Sequence, residues 1–257
     1  MTRVATVPDG YRRRCRVCRR IVELVPSTAG DAVCPVCGSL NWFVKQEATD
    51  PGRPIAHNVA YRECLPEIGD EAPFTYDGCR DGWVFDLSGG PVAPGLLTEL
   101  RRKMSPVVEV DLSGTNVTDE GLGELDEFRG LNALFLNETR VTVAAFPAIA
   151  VLVDLETLGL ADTSIRDREL ARLNSLTNLR NLDLSRTSIC GESLHSLKFM
   201  ERIEWLCLDG TRVSDRTVGS LLALRSLKHL SVGETMLSAA GVQALRAGLR
   251  ECRISSY

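Results

Sequence analysis

The sequence has none of the long apolar segments that carry a chain into or across a membrane. No part of its 257 residues approaches the roughly 18 consecutive apolar residues of a membrane span. Residues 1–10 have no apolar core of the length that a signal peptide needs. We therefore expect a cytoplasmic protein with reduced thiols and no membrane association.

The common short motifs of enzymes are also missing. There is no phosphate-binding loop, no dinucleotide-binding fingerprint and no zinc-protease helix motif. Wholesale disorder is excluded as well, because hydrophobic residues make up 44% of the chain, as in ordinary globular proteins. The sequence thus predicts a folded protein that is not an enzyme.

What the sequence does have is an internal repeat. From Val107 to Arg250 it repeats every 24 residues without insertion or deletion. Apolar positions match one for one between windows, as in Leu179, Leu182, Leu184, Ile189, Leu194 and Leu197 against Ile203, Leu206, Leu208, Val213, Val218 and Leu221. A fixed period of this length is typical of a solenoid, in which each repeat stacks on its neighbours.

Each repeat changes its apolar spacing halfway along. Leu182 and Leu184 alternate with polar residues, which predicts a strand with one buried face. Leu194 and Leu197 then follow a three-residue spacing, which favours an α- or 3₁₀-helix. The strands must therefore stack in parallel with the helices behind them. Small polar residues in the turns, as in Thr118-Asp119 and Ser214-Asp215, can cap the helix starts.

The pattern Leu-x-x-Leu-x-Leu-x-x-Thr-x-Val/Ile resembles the leucine-rich repeat family, with threonine in place of the usual asparagine. The resemblance implies an α/β solenoid with parallel strands on a concave face and short helices on the convex face. It also implies that the threonine hydroxyls tie the turns to nearby backbone, although they could be simple β-branched turn residues: Thr115, Thr139, Thr163, Thr187, Thr211 and Thr235. Pro147 predicts an irregular or late second helix, and Gly248 a short sixth one.

The repeats set the domain boundaries. We expect a repeat domain over 82–257, with a degenerate leading cap repeat at 82–106 and six regular repeats at 107–250. Proline-rich chain at 47–81 is expected to be a linker. Residues 1–46 form a separate unit.

That first unit contains two C-x-x-C pairs separated by fifteen residues: Cys15, Cys18, Cys34 and Cys37. This spacing is typical of a four-thiolate zinc site, and the flanking short apolar segments resemble the strands of a zinc ribbon. Because so short a segment cannot bury a sufficient core, the metal would supply its folding energy. All four positions are protein ligands, so the zinc is expected to be structural. A rubredoxin-like iron site is the weaker alternative.

Arginines crowd the same unit, and residues 1–45 carry a net charge of +5 against −9 for the remainder. Such asymmetry can mark a nucleic-acid contact, for which the candidates are Arg12, Arg13, Arg14 and Arg16. The alternative is that these cations offset the negative charge of the zinc thiolates.

Residues expected on the concave face are the candidates for binding. There are twelve, of which seven are acidic: Glu109, Asp111, Phe135, Glu138, Asp162, Asp183, Arg186, Trp205, Cys207, Asp209, His229 and Glu234. The residues most expected to contact a partner are Phe135, Asp183, Arg186, Trp205, Asp209 and His229. Cys207, Asp209 and His229 could form a nucleophile and base on neighbouring strands, but a smooth repeat surface offers no anion-stabilising pocket. The alternative is that Cys207 is a small surface thiol beside a lateral contact between Trp205 and His229. The sequence therefore predicts a protein-recognition module whose partner has a basic surface. The alternatives are a nucleic-acid-binding protein that uses the basic first unit and, from the resemblance to leucine-rich repeats alone, a ubiquitin-ligase substrate adaptor.

Overall fold

The computed structural model describes residues 80–256 and five short strands that precede them, at 11–14, 21–24, 31–33, 40–42 and 74–77. Thirteen strands lie in this part of the chain: β1 Tyr11–Arg14, β2 Ile21–Leu24, β3 Asp31–Val33, β4 Leu40–Trp42, β5 Phe74–Asp77, β6 Gly82–Asp86, β7 Val107–Asp111, β8 Ala133–Phe135, β9 Thr157–Gly159, β10 Asn181–Asp183, β11 Trp205–Cys207, β12 His229–Ser231 and β13 Arg253–Ser255. β1 with β2 and β3 with β4 form two antiparallel hairpins.

The other nine strands form one sheet in sequence order, and β6 to β13 run parallel to one another. Leu182 on β10 is paired with Leu206 on β11, and both are fully buried. The predicted parallel stacking and the 24-residue register are therefore confirmed.

Helices connect successive strands, and most of them are short. They are α1 Leu96–Lys103, η1 Gly121–Glu127, η2 Val143–Ala145, α2 Phe146–Ala150, η3 Asp167–Ser175, η4 Leu194–Phe199, η5 Asp215–Thr217, α3 Val218–Leu222 and α4 Ala239–Gly248, where η denotes a 3₁₀-helix. One continuous core joins the inward strand residues to the helices, as Leu182 and Leu206 are joined to Leu194 and Leu197. The helices thus cover one face of the sheet and leave the other open.

Threonine hydroxyls close the turn after each strand. In all six repeats the hydroxyl donates to the carbonyl oxygen three residues earlier, over 2.5–2.8 Å. The preceding residue has a positive φ of 53–67° in every repeat: Gly114, Glu138, Asp162, Arg186, Gly210 and Glu234. The family-based expectation for the threonines is confirmed, and each turn takes a left-handed backbone that only glycine adopts without strain.

The expected capping by small polar residues is found at Thr142 and Ser238, whose hydroxyls accept the Ala144 and Gly241 N–H groups, but not at the starts of η1 and η5. The Asp119 carboxylate instead accepts the backbone N–H and the hydroxyl of Thr142, one repeat later, each over 2.7 Å. Asp167 likewise binds three backbone N–H groups of the following repeat, and Asp215 binds Ser238. These side chains tie adjacent repeats together on the helical side.

The ends of the repeat region differ from expectation in three places. β5 lies within the segment assigned to a linker and adds an antiparallel strand to the sheet beside β6. β13 continues the 24-residue period beyond Arg250 and pairs in parallel with β12. The sixth helix is not short: α4 has ten residues and ends at Gly248. Pro147 lies in the first turn of α2, as the sequence indicated.

Among the described helices, none combines the length and the apolar composition needed to cross a membrane.

Candidate functional site

Two rows of side chains cross the open face of the sheet. Because the strands pair in register, residues 24 apart lie side by side. The first row is Glu109, Ala133, Thr157, Asn181, Trp205, His229 and Arg253; the second is Asp111, Phe135, Gly159, Asp183, Cys207, Ser231 and Ser255. The structure therefore brings Trp205 next to His229, and places Phe135 two strands away from Asp183.

Phe135 lies over a glycine of the neighbouring strand. A Cβ built on Gly159 would meet Phe135 Cδ1 at 3.0 Å and the side-chain amide of Asn137 at 2.8 and 2.9 Å. The aromatic ring therefore rests on bare backbone and is only half-buried. Asn137 is held there by its bonds to Ser113 and to the Ala161 N–H.

Trp205 forms one side of a cleft at the end of the sheet nearest β13, which we call the Trp205 cleft. Its volume is about 230 Å³, and it is lined by Trp205, Cys207, Asp209, His229, Leu230, Ser231, Arg253 and Ser255. Trp205 is half-buried, whereas His229 and Arg253 are exposed. Four of the residues expected on the concave face thus share one depression.

Most acids of the open face already have partners within the protein. Glu109 is buried and bonds Arg80 at 2.6 Å. Asp183 accepts the backbone N–H and the hydroxyl of Ser185, at 2.9 and 2.6 Å. Asp111 similarly accepts the Ser113 N–H. Pairing with Arg80 therefore offsets the charge of Glu109, whereas Asp183 and Asp111 keep their charge but have oxygens occupied by neutral donors.

Arg186 and Asp162 belong to the turns after the strands rather than to the strands themselves. Both have left-handed backbone conformations, and their side chains form an ion pair at 3.2 Å. Both side chains are well exposed, so solvent screens the pair and it contributes little to stability. Arg186 lies at the rim of the open face, together with Glu138 and Glu234.

Cys207 lies beside Asp209, as expected, but its environment does not suit a nucleophile. The thiol is buried and its Sγ lies 3.3 Å from Asp209 Oδ2. Burial, with the nearby Asp183 and Asp209 carboxylates, raises the pKa of Cys207 from 9.0 to about 12. The group is therefore a thiol at neutral pH, whereas cysteine catalysis requires a thiolate. The expectation that Cys207 is a surface residue is wrong.

The candidate residues of the first 46 positions lie largely outside the described residues. This holds for Cys15, Cys18, Cys34, Cys37 and Arg16. Arg12, Arg13 and Arg14 form most of β1, opposite β2. Within the described residues there is no cluster of three or more metal-ligating side chains.

Arg253 is the functional candidate that sequence reasoning missed. It lies one period after His229, on β13. The signal was present, because counting on from Trp205 and His229 leads to position 253. The sixth apolar window ends at Arg250, however, so Arg253 lies beyond the repeats that the apolar pattern defines.

No protein-family model matches the chain, and neither does any curated protein. Solved structures do match its fold. An internalin (inlF) from Listeria monocytogenes has a TM-score of 0.53 and 20% identity, over 78% of this chain and 56% of the internalin. Internalin C2 of the same species has a TM-score of 0.50 and 19% identity, over 66% of this chain and 78% of the internalin. The plant peptide hormone receptor RGFR1, in complex with RGF2, has a TM-score of 0.50 and 18% identity, over 74% of this chain and 29% of the receptor.

These similarities show the fold. The repeat region is an α/β solenoid with a parallel sheet, of the kind found in leucine-rich repeat proteins. The chain spans little more than half the length of the inlF internalin.

Proposed function

We propose that this protein is a non-enzymatic recognition module that binds a partner protein on the open face of its sheet. The observation that carries the proposal is the pair of half-buried aromatic residues on that face, Phe135 and Trp205, each next to a polar surround. Tryptophan and other large aromatic residues in such settings dominate the energy of protein interfaces. A plant receptor of similar fold is in complex with RGF2, which agrees with this use of the fold.

We do not expect the number of acidic side chains on the open face to determine which partner binds. Five of the seven acids expected on the open face have hydrogen bonds or ion pairs inside the protein: Glu109, Asp111, Asp162, Asp183 and Asp209. The sequence-based expectation of a basic partner depended on counting these acids as available. Two of them, Glu109 and Asp162, are paired with arginines, and the oxygens of the other three are partly occupied, so we take the aromatic residues and the Trp205 cleft as the guide to the contact.

The test of this proposal replaces the two aromatic residues and measures how tightly the partner binds. Protein captured from the native cytoplasm by the full chain is identified, and its affinity is then measured for Phe135→Ala, Trp205→Ala and the double variant. We expect Trp205→Ala to cost about 2 kcal/mol or more of binding energy, chiefly through faster dissociation. Phe199→Ala is the matched control, because Phe199 is 55% exposed and lies in η4 on the helical side.

The alternatives give different results. If the partner binds the double variant as tightly as the unmodified chain, the open face is not the binding surface. If Arg12, Arg13 and Arg14 to alanine abolish binding to single-stranded nucleic acid while Trp205→Ala changes nothing, the arginine-rich unit is the working surface instead. The salt dependence of that binding would show how many phosphates it contacts.

We infer that the N-terminal unit binds one structural zinc ion through Cys15, Cys18, Cys34 and Cys37. Support comes from the two hairpins, because each C-x-x-C pair falls in the sequence between two paired antiparallel strands. Arg14 is opposite Ile21 in the first hairpin, and Val33 is opposite Leu40 in the second. Four thiolates would fill a tetrahedral zinc site and leave no position for a reacting water. Zinc would then stabilise this short unit without any part in catalysis.

A further inference from the structure

The end of the open face nearest β13 has hydrogen-bond donors without acceptors. Trp205, His229 and Arg253 are neighbours in one lateral row, on three adjacent parallel strands. Strands in a sheet are about 4.8 Å apart, so His229 lies between Trp205 and Arg253, whose strands are about 10 Å apart. All three side chains line the Trp205 cleft. Across the described part of the chain, none of the three has a side-chain hydrogen-bond or ion-pair partner.

The main acceptor of the same cleft is already in use. The Asp209 carboxylate accepts the Ser231 hydroxyl at 2.8 Å and the Gly233 N–H at 2.5 Å, and the Cys207 Sγ lies 3.3 Å from it. Its two oxygens are therefore already occupied by three neutral donors, and it is not ion-paired with Arg253. The indole and guanidinium groups beside it offer N–H donors and no acceptor, and one nitrogen of a neutral imidazole always donates.

The acidic residue next to the cleft, Glu204, is paired with two cations. Glu204 precedes Trp205 in the chain, and its carboxylate is bound by Arg180 and by Lys228, each at 2.8 Å. These ion pairs lower the pKa of Glu204, with Lys228 the largest cause, so the group stays ionised and paired. Among the described residues Arg253 is thus a cation of the cleft that forms no ion pair, although Asp209 lines the same cleft.

We propose that the Trp205 cleft takes an aspartate or glutamate side chain of the partner protein. This inference rests on the proposed function and names the chemistry of its contact. The Arg253 guanidinium would pair with the carboxylate, which is the group that its planar donors fit best. His229 donates a further hydrogen bond, and the Trp205 ring packs against the aliphatic part of the acidic residue. A volume of about 230 Å³ is below the range of small-molecule pockets and suits a single side chain.

The test uses a displayed library of random peptides selected on the full chain. We expect the enriched peptides to share an acidic residue at one position, because the cleft offers donors and a free cation. For a selected peptide, Arg253→Gln should weaken binding about tenfold, as expected when a charge-assisted hydrogen bond is lost. Arg129→Gln is the matched control, because Arg129 is exposed and lies between η1 and β8, away from the cleft.

A double-mutant cycle then tests the pairing itself. Replacing the shared acid of the peptide by its amide should weaken binding to the unmodified chain, and should have little further effect on Arg253→Gln. Enrichment of lysine and arginine instead of acids would overturn the inference, and so would equal effects of Arg253→Gln and Arg129→Gln. If Trp205→Ala abolishes binding but Arg253→Gln does not, the acidic contact is wrong and the proposed function stands. If neither variant changes binding, or if no peptide is enriched, both fail.

Discussion

The threonine after each strand shows how one hydroxyl group can set a turn. Thr187 is buried, and its hydroxyl donates to the Leu184 carbonyl at 2.6 Å, closing a turn whose preceding residue, Arg186, has φ 53°. A buried carbonyl without a partner is costly. Thr187→Val keeps the shape of the side chain but removes the donor, and we therefore expect it to lower the free energy of unfolding by about 1–2 kcal/mol in urea denaturation.

Two further variants make this measurement specific. Thr187→Ser keeps the hydroxyl and should retain most of the stability, whereas Ser188→Ala changes an exposed neighbour and should be nearly neutral. If Thr187→Val is as stable as Ser188→Ala, the threonines are only β-branched turn residues and their hydroxyls do not hold the turns.

Cys207 predicts a pH dependence of stability. Its folded-state pKa is raised from 9.0 to about 12, with burial as the largest cause. A raised pKa means that the folded protein holds the proton more tightly than the unfolded chain. The stability linked to this proton is therefore fully present below pH 9 and is lost as the pH rises from 9.0 towards 12.

The comparison with Cys207→Ala isolates this effect from other groups that titrate at high pH. The difference in free energy of unfolding between the two proteins should be constant below pH 9 and should shift against the unmodified chain above it. Unfolding measured at a series of pH values checks this. A difference that does not change up to pH 11 would contradict the burial of the thiol in solution.

At the scale of strands and helices, the repeat predicts which leucines support the sheet. Leu182 and Leu206 are paired on β10 and β11 and are fully buried. Leu182→Ala and Leu206→Ala should each cost about 2–5 kcal/mol, because each leaves a cavity in a continuous core. Asp183→Ala should cost about 1 kcal/mol, since it removes only the acceptor of the two Ser185 donors. Equal losses at positions 182 and 183 in chemical denaturation would mean that the register is wrong.

Gly159 supports the position of Phe135, and a second pair of variants tests this. A Cβ at Gly159 would lie within 3.0 Å of Asn137 and Phe135 atoms, whereas one at Gly219 in α3 would meet nothing within 4 Å. Gly159→Ala should therefore cost about 1–3 kcal/mol through overpacking. Gly219→Ala should stabilise the protein by about 0.4–1 kcal/mol, because it reduces the freedom of the unfolded chain. Thermal unfolding of both variants would show opposite shifts; a stabilising Gly159→Ala would contradict the contact.

Periodic patterns explain why the strands were predictable and parts of the open face were not. Buried leucines recur at fixed spacing because each strand must repeat the packing of the last, so the pairing of Leu182 with Leu206 follows from the sequence. How deeply a side chain of the open face is buried depends instead on its neighbours on other strands. Cys207 is buried because Asp209 lies beside it and Trp205 shares the cleft, and Glu109 because Arg80 reaches it from outside the repeats. No residue period encodes such contacts.

At the scale of the whole molecule, the repeats and the N-terminal unit have different sources of stability. Each repeat is held by its core and by contacts to the next repeat, such as the hydrogen bonds that the Asp167 carboxylate accepts from the backbone N–H groups of Cys190, Gly191 and Ser193. In a solenoid, stability is therefore close to a sum over repeats and the interfaces between them. The N-terminal unit contributes two hairpins of three or four residues a strand, and isolated hairpins of this size are marginal in water.

If zinc supplies the missing stability, removing one ligand should affect the two parts unequally. Purified protein should contain one zinc ion per chain by elemental analysis, and Cys34→Ser should lose it, because a structural site needs all four ligands. Structural zinc contributes on the order of 10–16 kcal/mol of apparent binding energy in small zinc-finger peptides, so without the metal the N-terminal unit should unfold. The repeats should keep their cooperative unfolding transition, because their core, which includes Leu182 and Leu206, lies within residues 85–249.

Cys252→Ser is the matched control, because Cys252 lies at the far end of the chain beside β13 and its replacement should leave the zinc content unchanged. Full zinc occupancy in Cys34→Ser would refute the assignment of the ligands, and an equal loss of the repeat transition would refute the independence of the two parts.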